Sequence, residues 1–473
     1  MVNDYSWSFT TTKSGSVDDS FGGGSGTGGS GGGGRSSAVA VTTQVSLVGS
    51  SEAKAVAIQK DGKIVVAGSA CGSKDSTTGK CTNWDFALVR YDADGNPDTS
   101  FDTDGIVTTD IGGKHNIAYS MAIDSSNRIV VAGFVGDGNG NNDFALARYN
   151  SDGSLDPSFG TNGNGIVMTD FDGKNDVAYA LALDANDNIV VAGFSGTPSQ
   201  GQAYIFFDSA ETKEIIFGTG LNLTQAKFAV ARYIGADGTL DPTFDTDGKV
   251  TTSIGSNISI ARAIALQNGK IVVAGYAGGS SNSNFALARY ETGGELDNSF
   301  GPSGAVTTII VPEKNSGALA VAIQQDGKIV AAGNVESDPG NTDFALARYN
   351  ADGSPDASFS AGGKTTTRLG QGGNASAYTI ALQGDGKIVA VGTASNGTDN
   401  DFAVVRYRND NGSIDNGFGW GGVVLTPVRS GEDVAFAVVP QQSADGKLRL
   451  IMAGRSHNAT TGYFDFALVR YWQ

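Results

Sequence analysis

The chain has 473 residues, with 69 Gly and 10 Pro, and its 32 Lys and Arg against 49 Asp and Glu give a formal charge of −17. That balance argues against nucleic acid, whose phosphates need neutralising cations, and against an anionic membrane surface, while it suits metal ions or basic partners. No run approaches the ~18 apolar residues of a membrane span, Met1 is not followed by a signal-peptide core, and if the two Cys pair with each other the two His that remain do not make a structural zinc site.

In chain order, residues 1–13 hold the stretch DYSWSFTTT (Asp4 to Thr12), and residues 14–37 read as a lead-in and linker. Gly22 to Gly34 is almost wholly Gly, Ser and Thr, the composition of a flexible segment. Just before it, VDDSFG (Val17 to Gly22) reads as the approach to a strand, and AVAVTT (Ala38 to Thr43) as the strand itself.

From there a phrase close to DFALARY recurs seven times, beginning at Asp85, Asp143, Lys227, Asn284, Asp343, Asp401 and Asp465 and ending each time in Arg-Tyr. Its Phe recurs at intervals of 58, 84, 57, 59, 58 and 64 residues. A fixed period of this size marks an array of equivalent units, none of which buries its apolar face alone. The second unit predicts four strands: AYSMAID (a, Ala118 to Asp124), RIVVAGF (b, Arg128 to Phe134), DFALARY (c, Asp143 to Tyr149) and GIVMTDF (d, Gly165 to Phe171). Each is rich in Val, Ile, Phe and Tyr and bounded by turn residues. Asp61-Gly62-Lys63 and Asp326-Gly327-Lys328 are tight a–b turns in which Gly accepts positive φ.

In strand a, Ala53, Ala55 and Ala57 alternate with Lys54, Val56 and Ile58, which predicts one small face and one bulky face, suited to a crowded innermost strand. Strands a, b and c occur seven times but d follows c only six times, and the chain stops at Gln473. The N-terminal strand therefore completes the last unit. The expected fold is all-β: residues 38–473 form a seven-bladed β-propeller of four-stranded antiparallel blades, shut by the N-terminal strand.

The elements LDPSFG (Leu155 to Gly160), DNIVVAG (Asp187 to Gly193) and DFALARY make residues 14–471 resemble the delta-60 β-propeller repeat family of bacterial surface and secreted proteins. That resemblance implies a propeller and an extracellular or cell-surface place, and carries no assigned chemistry. Residues 4–12 resemble the final strand of a bacterial immunoglobulin-like domain, which implies a longer surface polypeptide containing one monomeric propeller.

Arg90 and its six equivalents recur in every unit, as does an Asp in the following turn (Asp98, Asp156, Asp241, Asp297, Asp356 and Asp415). A role needed once would not recur so often, so a structural Arg–Asp clamp is expected. DADG (Asp92 to Gly95), DTDG (Asp102 to Gly105) and DGNGNND (Asp137 to Asp143) are fragments of calcium-loop chemistry that also serve as plain turns. Just before strand a, the aligned residues are Ser51, Asn116, Asp176, Ser259, Ser316, Ala375 and Asp433, with His115 and Glu432 preceding two of them. They are expected to ring one mouth of the central channel, either as strand caps or as a polar ligand site in which Asp176 and Asp433 hold a metal, calcium above all.

The third unit carries an insertion at residues 196–226, read as a protruding hairpin that presents Ile205, Phe207, Ile215 and Phe217 to a partner or folds down on its own blade. Cys71 and Cys81 share one b–c loop and are placed to form a disulfide. The reading is an extracellular binding or scaffold module that recognises a protein or glycan on the face bearing the b–c loops. The alternative is a metal-dependent hydrolase of esters, lactones or phosphoesters at the channel, with Asp176, Asp433, His115 and Glu432 as candidate catalytic groups. A fold that hosts binders and enzymes alike does not choose between them.

Overall fold

The computed structural model describes residues 16–18, 20–22, 40–112, 115–136, 141–198, 223–255, 258–279, 282–338, 340–370, 374–442 and 448–472. The stretch resembling an immunoglobulin-like strand lies outside them, as does most of the Gly-rich linker. Seven four-stranded antiparallel sheets follow one another, six in the chain order a-b-c-d. Blade 1, for example, runs Ser51–Ile58, Ile64–Lys74, Cys81–Tyr91 and Ile106–Thr109. Blade 7 takes Asp433–Gln442, Leu448–Asn458 and Tyr463–Trp472 from the end of the chain and Val41–Thr43 from its start. Thr43 pairs with Phe466 and Val41 with Leu468, so the ring closes as the strand count requires.

The strands a of successive blades touch one another all round, from blade 1 back to blade 7, and are therefore innermost. Their strict alternation is interrupted, however. Ala53 pairs with Gly68 and Ala55 with the next residue, Ala67, so a β-bulge falls at Lys54. The bulge sends Ala53 into the seam with blade 7 and Ala55 into the seam with blade 2, not onto one face. The same shift recurs in every blade, at Tyr119, Tyr179, Arg262, Leu319, Tyr378 and Phe436. It also explains the invariant Gly of strand b. A Cβ on Gly193 would lie 1.8 Å from the Val177 carbonyl oxygen, and one on Gly68 1.9 Å from that of Glu52.

The Arg-Tyr pair is the mortar between blades. Arg148 Nε binds Asp156 Oδ2 at 2.8 Å, its guanidinium lies 4.4 Å from the Phe159 ring centroid, and it reaches the Gly235 carbonyl in blade 3. Tyr149 Oη donates to Thr109 Oγ1 of blade 1 at 2.8 Å. The pattern repeats, with Arg–Asp distances of 2.7 Å at Arg90, Arg232, Arg289 and Arg348 and 2.8 Å at Arg406. The expected clamp is present in all these blades. The seventh is made by VDDSFG: Val17 bridges Tyr471, Asp18 takes Arg470 at 2.8 Å, and Phe21 lies under the same guanidinium at 4.5 Å. The described part of the propeller thus starts at Ser16, inside the segment expected to be only lead-in. Gly22, at φ +79°, then packs against Val41 of the closing strand.

Candidate functional site: the face carrying the b–c loops

Strand a begins where b ends. In blade 3 (a Asn175–Leu183, b Ile189–Pro198, c Leu223–Tyr233), Asp176 pairs with Ser195, and Ser195 with Lys227. Gly196 and Thr197, at the base of the insertion, pair with Ala226 and Gln225, so the insertion springs from the same face as Asp176. Ile205, Phe207, Ile215 and Phe217 lie outside the described residues, as do residues 137–140. Cys71 and Cys81 are joined by a disulfide across the corresponding end of blade 1. The Arg–Asp clamps, beyond the ends of strands c, occupy the opposite face.

The seven residues expected to ring an open channel mouth are all buried: Asn116, Asp176, Ser259, Ser316 and Asp433 are 0 % exposed, and Ser51 and Ala375 1 %. The side chains of Ser51, Asn116, Asp176, Ser259 and Asp433 hydrogen-bond across the seams between blades, and Asp176, Ser259 and Asp433 hold the preceding d–a turn. Asp176 Oδ2 accepts from Phe171 N at 2.6 Å, and Asp433 Oδ2 from Val428 N at 2.7 Å and Arg429 N at 3.1 Å. Ser259 Oγ accepts from Ile254 N and donates to Ala226 O, each at 3.4 Å. Asn116 Nδ2 donates to Asp110 Oδ1 at 3.4 Å. Burial lifts Asp176 to about 7 and Asp433 to about 6, against which the hydrogen bonds they accept work in the opposite direction.

Asp176 and Asp433 belong to different seams, and no shared ligand set joins them among the described residues. Asp176 is grouped instead with Asp143 at the start of strand c of blade 2 (Asn142–Tyr149) and with Asp170, just beyond its outer strand (Ile166–Thr169). One oxygen from each lies within 4.8 Å of the others. The neighbouring seam has Asp85, Asp110 and Asn116 in the equivalent places; there burial first, then the charge of Asp110, raises Asp85 to about 6. Five aspartates therefore crowd two adjacent seams, those on either side of blade 2. Sequence reasoning missed this grouping because the three members of each set come from strand c, the end of d and the next strand a.

Glu432 is engaged in an ion pair: its carboxylate meets Arg455 Nη2 at 2.6 Å, and Arg455 Nη1 meets Glu52 at 3.0 Å. Burial pushes Glu52 up, but Lys54 and Arg455 together outweigh it and hold the carboxyl below its usual range. His115 is partly buried, and that burial lowers its pKa; its carbonyl accepts from Gly136 N at 2.7 Å. Neither joins Asp176 and Asp433 in a ligand group of the described residues.

Around the axis runs a belt that the sequence reading did not identify. Lys54 Nζ sits 3.4 Å from the Phe436 ring centroid, Arg262 lies 4.0 Å from that of Tyr179, and the ring pairs Tyr119–Tyr179 and Tyr378–Phe436 are 4.8 and 5.0 Å apart. These are the bulged residues of strands a. Their signal in the sequence was a large residue held between two small ones, as in Ala53-Lys54-Ala55 and Ala178-Tyr179-Ala180.

No curated protein matches the chain. Among solved structures it is similar to a protein of unknown function from Dyadobacter fermentans DSM 18053, at 14% identity and a TM-score of 0.44, over 92% of this chain and 98% of that one. It is also similar to the polysaccharide lyase Uly1, at 11% identity and a TM-score of 0.48, over 91% of each chain. A third likeness is to Sqt1 from Chaetomium thermophilum bound to the N-terminus of ribosomal protein L10, at 10% identity and a TM-score of 0.40, over 90% of this chain and 97% of that one. None of these carries chemistry across to this chain. The family model described as a domain of unknown function (DUF5122) beta-propeller matches residues 59–101, 125–159, 266–300, 324–359 and 383–418. Those segments fall in blades 1, 2, 4, 5 and 6; the unmatched blades are the one split by the insertion and the one assembled from both ends of the chain. This chain is thus a seven-bladed propeller in which five blades carry repeats that match the DUF5122 β-propeller model.

Proposed function

We propose that the chain is a binding module that recognises a protein or glycan on the face carrying the b–c loops, as part of a larger exported polypeptide. The observation that carries this reading is the contrast between the two faces. On one side the same Arg–Asp–Phe clamp recurs blade after blade, which is what a framework requires. On the other side the seams differ, and Asp85, Asp110, Asp143 and Asp170 line the two seams that flank blade 2, the second of which borders the blade carrying the long insertion. A loop-bearing, locally acidic surface on a rigid ring is suited to a cationic or hydrogen-bonding ligand. The Cys71–Cys81 disulfide fits an oxidising, extracellular setting.

The test is a glycan and protein array probed with the whole chain and with a variant in which residues 199–222 are replaced by a short turn. The expected result is a specific ligand for the whole chain and its loss in the shortened variant, with the melting temperature kept. Turnover of an ester, lactone or phosphoester with no ligand on either array would overturn the reading.

A further inference from the structure

We propose that Asp143, Asp170 and Asp176 form a divalent-cation site, suited to calcium, that pins the end of blade 2 to the start of blade 3. The proposal does not depend on what the loop-bearing face recognises.

Geometry comes first. Two oxygens bound to one calcium at 2.3–2.6 Å are at most ~5 Å apart. One carboxylate oxygen from each aspartate lies within 4.8 Å of the other two, so a single ion can touch all three. The three come from separate elements: the start of strand c, the end of strand d, and the next strand a. An ion there would cross-link the seam at its loop-bearing end, opposite the Arg148–Asp156 clamp.

The second observation concerns buried atoms left unmatched. Asp176 is 0 % exposed; Phe171 N occupies its Oδ2, and Oδ1 has no hydrogen-bond partner. Ser195, 3 % exposed and opposite Asp176 in the strand register, turns its hydroxyl toward the same carboxyl, but neither its Oγ nor Oδ1 completes a hydrogen bond of normal geometry. Leaving such a buried group unsatisfied is destabilising, because it has lost its water without gaining a partner. A cation, with the waters that complete its shell, removes the deficit at Oδ1 and leaves the Ser195 hydroxyl free to donate to a ligating oxygen.

The repeat supplies internal controls. The seam between blades 1 and 2 has Asn116 in place of Asp176. In the seam after blade 5 the charge of Arg368 opposes that of Asp343, and in the seam after blade 6 Asp433 faces the charge of Asp401. Among the described residues, three carboxylates come within reach of one ion only in the blade 2–3 seam. In the blade 2–3 seam the nearby Lys249 Nζ bonds the backbone carbonyl of Asp170 at 3.0 Å. Asp170 and Asp143 both raise the pKa of Asp176, which is repulsion that a divalent ion would reverse.

The experiment is calorimetric titration of the chelator-treated whole chain with calcium chloride and with magnesium chloride, alongside thermal melts. The expected result is one calcium per chain with a Kd on the order of 10⁻⁴ M, weaker magnesium binding, and a rise in melting temperature with calcium. Asp143→Asn and Asp170→Asn should each weaken calcium binding by about tenfold or more while the metal-free melts stay within a few degrees of the parent. Asp110→Asn, at the place equivalent to Asp170 in the neighbouring seam, should leave the affinity unchanged. Absence of calcium heat up to millimolar concentration overturns the proposal, and so does an equal loss in Asp110→Asn and Asp170→Asn.

Discussion

Arg470 Nε lies 2.8 Å from Asp18 Oδ2, joining residues 452 positions apart in a pair that is 1 % and 0 % exposed. Arg470 also donates from Nη1 to the Ala93 carbonyl of blade 1 at 2.8 Å. One guanidinium therefore ties the last strand, the N-terminal segment and the first blade together. Removing one partner of a buried pair strands the other, at a cost of about 3–5 kcal/mol. Asp18→Ala should lower stability by that amount in chemical denaturation, with a smaller loss for Asp18→Asn. A change under 1 kcal/mol in Asp18→Ala would mean that the seventh clamp does not carry the closure.

Truncation separates the clamp from what precedes it. Deleting residues 1 to 13 should leave the melting temperature nearly unchanged. Deleting residues 1 to 43 removes both Asp18 and the strand Val41–Thr43, exposing the edge from Phe466 to Leu468. A large drop in melting temperature and concentration-dependent aggregation should follow. Equal melting temperatures for the two truncations would contradict closure by the N-terminal strand.

The bulge in strand a makes a sharp prediction about glycine. Gly193→Ala places a Cβ 1.8 Å from a backbone oxygen, which no rotamer relieves, so the inner pair of blade 3 must separate. The expected loss is on the order of 3 kcal/mol or more. Gly173→Ala is the control: its φ is +66° but nothing lies within 4 Å, so only the ~1 kcal/mol backbone strain applies. Urea melts of the two variants compare the costs directly.

Asp433 gives the pH dependence. Burial, as the leading cause, raises its carboxyl from 3.8 to about 6. The native chain therefore holds a proton that the unfolded chain releases between those values. Its contribution is full below about pH 4 and is lost as pH rises through about 6. Asp433→Asn keeps an oxygen for Val428 N and removes the titration. Relative to the parent, this variant should gain roughly 2–3 kcal/mol between pH 4 and pH 8. A parallel pair of stability curves across that range would show that Asp433 is not shifted.

The blade count, the four-strand unit, the closure and the six recurrent Arg–Asp clamps were legible because each repeats and needs only local pattern. Asp18 was hidden as the seventh clamp because residues 23–39, rich in Gly, separate VDDSFG from its strand. The bulge at Lys54 was misread as plain alternation because Ala53-Lys54-Ala55-Val56 has the same spelling with or without an extra residue. The positions from Ser51 to Asp433 were aligned correctly, but the sequence does not say whether a strand's first residue faces the axis or the seam. Asp170 went unmarked, and Asp143 was marked only as the end of the DGNGNND turn, because their shared chemistry exists only once two blades are set side by side.

The account rests on a division of labour between the two faces, and one binding map tests it. An array of glycans and of basic proteins would be probed with the parent chain and two variants. The first carries Asp85→Asn, Asp110→Asn and the shortened 199–222 segment on the loop-bearing face. The second carries Asp61→Asn, Asp326→Asn and Asp385→Asn in the exposed a–b hairpins of the opposite face. The account predicts that the parent and the second variant bind the same ligand and that the first variant does not. Binding that survives in the first variant and vanishes in the second would contradict it.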